Sequence, residues 1–226
     1  MKISYYGHSS LGLEINGKHI LVDPFISQNP KAANIAIDSL KADYVLLTHA
    51  HYDHIMDVEA IVERTKAKII SNHEIVTYYA NNKQFEGHAM NQGGSWNFDF
   101  GRVKVVNAIH SSSFPDGTYG GNPVGFVISA EGKNIYIAGD TALTMDMKLI
   151  PLFFKLELAI LPIGGNFTMD IEEAIVAAQF VECDTIMGMH YDTAPYIEIN
   201  HQEAHDKFKA INKNLLLLNI GESYEL

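Results

Sequence analysis

Short apolar runs bounded by turn residues dominate this chain, and only a few stretches carry apolar positions at helical spacing. Lys2–Tyr6, Leu11–Ile15 and Lys18–Val22 read as strands. Asn16-Gly17 between the last two is a type I′ hairpin signal, because both residues tolerate positive φ. Continuous apolar character makes Asp43–Leu47 a buried strand. Ile55, Val58, Ile61 and Val62 recur at helical spacing and predict one amphipathic helix over His54–Thr65. A strand at Lys68–Ser71 and a helix over His73–Asn82 follow, then a loop over Gly87–Gly94. Ser95–Phe100 and Val103–Ala108 read as strands, Ser111–Pro123 as a Ser- and Gly-rich loop, and Val124–Ser129 with Asn134–Ala138 as a hairpin around Glu131-Gly132. Strands are expected at Leu158–Leu161, Thr185–Met189 and Leu215–Asn219. Asp170-x-x-Glu173 and Asn200-x-x-Glu203 open two helices with capping-box spacing, the first running to about Glu182. A β-rich pattern in both halves with helices interspersed predicts two sheets packed face to face with helices outside, in one domain over residues 1–226.

Composition narrows the partners. The chain has 226 residues, 47% of them hydrophobic, enough for one sizeable core. Its formal charge is −11 with only Arg64 and Arg102 as arginines, so it would repel a phosphate backbone, and nucleic acid is not an expected partner. Cys183 is the single cysteine, which excludes an internal disulfide and suits a reducing compartment. The N-terminal residues hold no apolar signal-like run, and no run approaches the roughly 20 apolar residues of a membrane span. The expectation is a soluble, cytoplasmic protein without a membrane span.

The chemistry concentrates after the strand at Asp43–Leu47. His49-Ala50-His51-Tyr52-Asp53-His54 packs four potential metal ligands into six residues. Alternate residues of an extended segment share a face, so His49 and His51 can grip one ion together. Asp53 and His54 fall where the chain turns into a helix and can serve a second ion, although Asp53 also suits a helix N-cap. Imidazoles with a carboxylate favour zinc, while manganese and iron accept the same donors. His110, Asp140 and His190 each follow an apolar strand and enter a loop, so the fold can bring them to the same sheet edge. Asp23 reads equally as a turn former in Asp23-Pro24, and His8 as a turn residue in Gly7-His8-Ser9-Ser10.

In their order along the chain, His49-x-His51-x-Asp53-His54, His110, Asp140 and His190 resemble the metallo-β-lactamase superfamily. Tyr6-Gly7-His8-Ser9-Ser10 and Leu21-Val22-Asp23-Pro24-Phe25 resemble its compact UPF0173-like metal-dependent hydrolases, related to the ascorbate-6-phosphate lactonases. The resemblance implies an α+β fold, the αββα sandwich of two mixed β-sheets flanked by helices, with the site at one sheet edge. It implies that His49, His51 and His110 bind one metal ion, that Asp53, His54 and His190 bind a second, and that Asp140 bridges them. It places Asp23 in support of the metal loop and His8 near substrate or metal. Compact members often associate, so it also allows a homo-oligomer.

The activity implied is that of a binuclear hydrolase, with two divalent ions, zinc foremost, and a metal-bridging hydroxide attacking a small ester, lactone or phosphoester. Asp53 and Asp140 would be its catalytic carboxylates. The competing expectations are a mononuclear iron dioxygenase on the same fold and a phosphodiesterase or nuclease. The acidic chain carries no basic RNA-binding arm, which counts against the nuclease.

Overall fold

The computed structural model describes all residues from Met1 to Leu226. In the first half, β1 (Lys2–Tyr5), β2 (Leu11–Ile15), β3 (Lys18–Val22) and β4 (Tyr44–Leu46) are followed by α1 (Tyr52–Ile55), α2 (Val58–Thr65), β5 (Lys68–Asn72), α3 (His73–Lys83) and β6 (Gly87–Met90). In the second half come β7 (Ser95–Phe98), β8 (Gly101–Asn107), β9 (Val124–Ala130), β10 (Lys133–Ile137), β11 (Leu158–Pro162), α4 (Ile171–Phe180), β12 (Thr185–Met189), α5 (His201–Ala210), β13 (Asn214–Leu216) and β14 (Ser223–Glu225). The strands form two seven-stranded sheets, ordered β14-β1-β2-β3-β4-β5-β6 and β13-β12-β11-β10-β9-β8-β7.

Each sheet is half parallel and half antiparallel. Strands β3 to β6 and β10 to β13 pair in parallel, and the remaining pairs are antiparallel. Because β2 is antiparallel to both β1 and β3, β1, β3 and β4 run the same way. Because β9 is antiparallel to both β8 and β10, β8, β10 and β12 also share a direction. The loops carrying His8, Asp23 and His49–His54 therefore leave one sheet at a common edge, and those carrying His110, Asp140 and His190 leave the other in the same manner. Ligand sites of α/β sheets favour such carboxyl ends.

A core of 42 buried residues fills the space between the sheets and extends under α4 and α5, through Ala174, Ala177, Ala204 and Phe208. Strand β11 is buried at all five positions, as a parallel strand covered on both faces should be. A separate cluster of 15 residues joins the outer face of the first sheet to α2 and α3, with Val58, Ile61 and Val62 of α2 packed against Val45, Leu47 and Ile69. The hairpin signals hold: Asn16 and Gly17 have φ of 49° and 75°, and Glu131 and Gly132 have 53° and 74°. Asp170 and Glu173 form the reciprocal capping box of α4.

Three elements differ from the sequence expectation. The helix over 54–65 is broken after Ile55, because the Asp57 carboxylate turns away to accept hydrogen bonds from the Ile26 and Ser27 amides at 2.6 and 2.9 Å, tying down the loop behind Asp23. Residues 87–90, expected in a loop, form the edge strand β6. Gly87 lets it lie against α3, since a Cβ there would stand 2.6 Å from Val76 Cγ1. Strand β14 pairs with β1 although Ser223-Tyr224-Glu225 carries no apolar run.

Candidate metal centre

The topology delivers nine singled-out residues to one edge, and the structure brings them into contact. His49, His51 and His110 offer one donor atom each, all within 4.8 Å of one another. His8, Asp53, His54 and His190 make a second such group. Asp140 lies between the two. Its Oδ2 is 3.3 Å from His54 Nε2 and 3.0 Å from His190 Nε2 on one side, and 4.0 Å from His49 Nε2 and 3.8 Å from His110 Nε2 on the other.

His8 is thus part of the second group. Its Nε2 lies 2.9 Å from Asp53 Oδ2, its Nδ1 3.1 Å from Thr193 Oγ1, and its ring centroid 4.1 Å from that of His190. The His190 amide donates to the His8 carbonyl at 2.8 Å, linking a loop of each sheet through backbone. His8, Asp23 and His190 all adopt left-handed backbone, with φ of 55°, 43° and 55°. Non-glycine residues hold that conformation at a cost that surrounding contacts must offset, and such positions concentrate at functional sites.

Asp23 acts from behind the cluster. Its carboxylate accepts from the Thr48 amide at 2.8 Å, the Thr48 hydroxyl at 2.5 Å and His54 Nδ1 at 2.9 Å. With its oxygens so committed, it orients His54 and leaves Nε2 facing Asp140, the carboxylate–histidine arrangement that fixes ligand tautomers. The Thr48 hydroxyl also lies 3.0 Å from His49 Nδ1, so one side chain steadies two site residues. Sequence reasoning passed over Thr48 and Asp57, and the only available signal was adjacency to the cluster.

The electrostatics suit a cation. Burial, then the neighbouring His54 charge, holds His49 well below the ordinary imidazole range, and burial lowers His51 and His110 too. Burial lowers His8 to about 4 against the pull of Asp53. His54 goes the other way: burial opposes its charge, but Asp140 and Asp23 outweigh it and raise it well above normal. Burial alone would raise Asp140, yet His190 and His54 hold it well below the usual carboxylate range. Asp53 is likewise held low, burial being outweighed by the His8 hydrogen bond and the His54 and His8 charges. Neutral imidazoles and ionised carboxylates are the forms that ligate metal, so a cation bound here would displace the proton that Asp140 and Asp23 hold on His54. His54 Nε2 and Asp140 Oδ1 are buried polar atoms without a hydrogen-bond partner, an unfavourable state that a bound cation would relieve. The donor set therefore fits one or two divalent ions.

His73 and His205 are exposed and His88 packs on Trp96 and Phe98, whereas the exposed His201 lies 2.6 Å from Asp192 Oδ2 and lines a groove with His8. Cys183 is buried with Sγ against the Thr185 carbonyl, and burial raises its thiol, so it is a structural residue.

Two mixed seven-stranded sheets with flanking helices and a His/Asp cluster at one edge define the metallo-β-lactamase α/β sandwich. The chain belongs to the beta-lactamase superfamily, whose domain model matches residues 2–190, and within it to the UPF0173 metal-dependent hydrolase family. A relative of that name from Flavobacterium johnsoniae is 68% identical over the full length of both chains. Another from Methylacidiphilum infernorum is 47% identical over 99% of each. Among solved structures, Igni18, described as a novel metallo hydrolase from Ignicoccus hospitalis, superposes with a TM-score of 0.89 at 36% identity, covering 100% of this chain and 98% of that one. No helix is long and apolar enough to cross a membrane.

Proposed function

We propose that the chain is a cytoplasmic, single-domain binuclear metal-dependent hydrolase, with zinc as the foremost metal, acting on a small ester, lactone or phosphoester. The observation that carries this reading is Asp140 Oδ2, within 4.0 Å of an imidazole nitrogen from each of four histidines drawn from both donor groups. A carboxylate so placed is suited to being shared by two ions. His49, His51 and His110 would hold one, and Asp53, His54 and His190 the other, with His8 beside the second. The ions would supply Lewis-acid polarisation of the scissile group and a water acidified toward neutral pH.

The chain's own residues supply the rest. Asp23 and Thr48 fix the rings of His54 and His49, so those donors need no reorganisation. Asp53 is the one cluster carboxylate that reaches solvent, at 39% side-chain exposure, and His8 holds its Oδ2. That position suits Asp53 to take a proton from attacking water and return it to the leaving group. The names of the relatives, metal-dependent hydrolase and metallo hydrolase, agree with this chemistry.

The test is metal analysis of purified protein together with a screen of esters, lactones and phosphodiesters in Zn²⁺ or Mn²⁺. About two ions per chain with turnover of any of these classes supports the reading. One iron per chain with oxygen consumption overturns it in favour of a dioxygenase.

A further inference from the structure

The rim around the candidate metal centre has a composition of its own. Tyr52, Ile109 and Phe167 are large apolar side chains with 44%, 54% and 56% of their surface exposed. Single exposed apolar residues need no explanation, but these three come from the start of α1 and from two loops, all of which carry or abut the cluster. Tyr52 lies between His51 and Asp53, and its ring meets the edge of Phe25, which in turn meets His8. Ile109 precedes His110, its amide donates to Thr141 Oγ1 at 3.0 Å, and its carbonyl accepts from Ala142, clamping it beside Asp140. Phe167 sits on the turn whose Met169 amide donates to the Thr141 carbonyl at 3.1 Å. The same turn abuts His190 so closely that a Cβ on Gly164 would fall onto the His190 carbonyl oxygen.

Charge on these loops is one-sided. Residues 6–10, 47–51, 108–123, 139–144, 163–170 and 190–200 include no lysine or arginine, while Asp116, Asp170, Asp192 and Glu198 add negative charge beyond the cluster. One basic side chain, Lys31, lines a groove of about 320 Å³ together with His8, Tyr191, Thr193 and His201. Recognition of a phosphoryl group draws on arginine and lysine, and the segments that carry Tyr52, Ile109 and Phe167 offer neither. An apolar wall with few polar groups is the setting for an uncharged organic body.

We infer that the substrate is an uncharged ester or lactone whose apolar acyl portion packs on the rim formed by Tyr52, Ile109 and Phe167. This rests on the hydrolase reading above and selects among its substrate classes. The test uses zinc-loaded protein with p-nitrophenyl acetate, butyrate and hexanoate, and with bis-p-nitrophenyl phosphate. Because a buried methylene is worth about fourfold, kcat/KM should rise about fourfold per added CH₂, and every ester should exceed the phosphodiester. Phe167→Ala and Ile109→Ser should lower the hexanoate-to-acetate ratio, while Trp96→Ser, at an exposed apolar position on the edge strand β7, should leave it unchanged. An independent arm measures thermal shifts with alkyl trifluoromethyl ketones, where the shift should grow with chain length in wild type and not in Phe167→Ala. A flat chain-length profile in both arms, or preference for the phosphodiester, overturns the inference. No turnover of any class alongside chain-dependent shifts would sink the hydrolase reading while sustaining the apolar rim. A change in molecular mass of Phe167→Ala by light scattering would make the rim an interface between copies and overturn the inference.

Discussion

Asp23 Oδ2 receives His54 Nδ1 at 2.9 Å, and this one contact decides which nitrogen of His54 faces Asp140. Both side chains are almost fully buried, so no water can substitute for either partner. Asp23→Ala would strand His54 Nδ1 and both Thr48 donors. Metal affinity should fall by about 10–100-fold, the usual consequence of losing such a support. Competition with a chelator of known affinity measures it. Asp23→Asn keeps an acceptor and tolerates the left-handed backbone, so it should lose less.

Thr48→Val preserves shape and removes only the hydroxyl. Since that hydroxyl contacts both Asp23 and His49, the variant should lose about 1–3 kcal/mol of stability, because a buried carboxylate oxygen loses a donor. Urea unfolding of the metal-free protein reads the change without interference from bound ions.

His110→Ala and His190→Ala should separate the two donor groups. Each removes one donor from a different group while leaving the other group intact. Elemental analysis should show loading fall toward one ion per chain for each, and Asp140→Ala, which touches both groups, should lose more. Equal loading in all three variants would count against two distinct positions.

Without metal, stability should peak near the ordinary imidazole pKa, about 6.5. Burial lowers His8 to about 4, so the unfolded chain binds more protons as pH falls from about 6.5 toward 5 and stability drops on that limb. His54, raised by Asp140 and Asp23, holds its proton in the folded state, so its contribution is complete below about 6.5 and is lost as pH rises through its raised value. Denaturation midpoints across pH test this. His8→Asn should make the acid limb shallower, with His49, His51 and His110, also lowered by burial, sustaining the rest of it, and leave the alkaline limb.

Gly164→Ala should be far more damaging than Gly165→Ala. A Cβ at Gly164 collides with the backbone of His190, whereas at Gly165 it only touches Asp170 Cβ at 3.4 Å and must adopt φ near +71°. The second change should cost about 1–2 kcal/mol from backbone strain. The first should cost more and displace His190, so it should also lower metal loading.

Much of this arrangement was legible from residue order. Hairpins with Asn16-Gly17 and Glu131-Gly132 announce themselves because positive φ is needed there, and β2, β3 and β12 match their apolar runs from end to end. The grouping of His49 and His51 followed from strand alternation. What did not show was tertiary in origin. Asp57 looks like any polar helix residue until the loop at Ile26 and Ser27 claims its carboxylate. Strand β6 has no apolar signature because an edge strand beside α3 needs little more than a glycine to fit. His8 was undecidable, since its proximity to Asp53 depends on two loops 45 positions apart.

The donors come from both sheets, with His8, Asp23 and His49–His54 on one and His110, Asp140 and His190 on the other. A slip of one sheet against its neighbour by even an ångström would separate Asp140 from half of its imidazoles. The cluster thus works as a vernier between the two layers, and whatever occupies it must report their alignment. Substitutions in the inter-sheet core, far from any reacting atom, should therefore register first as a change in how tightly the edge grips its ions.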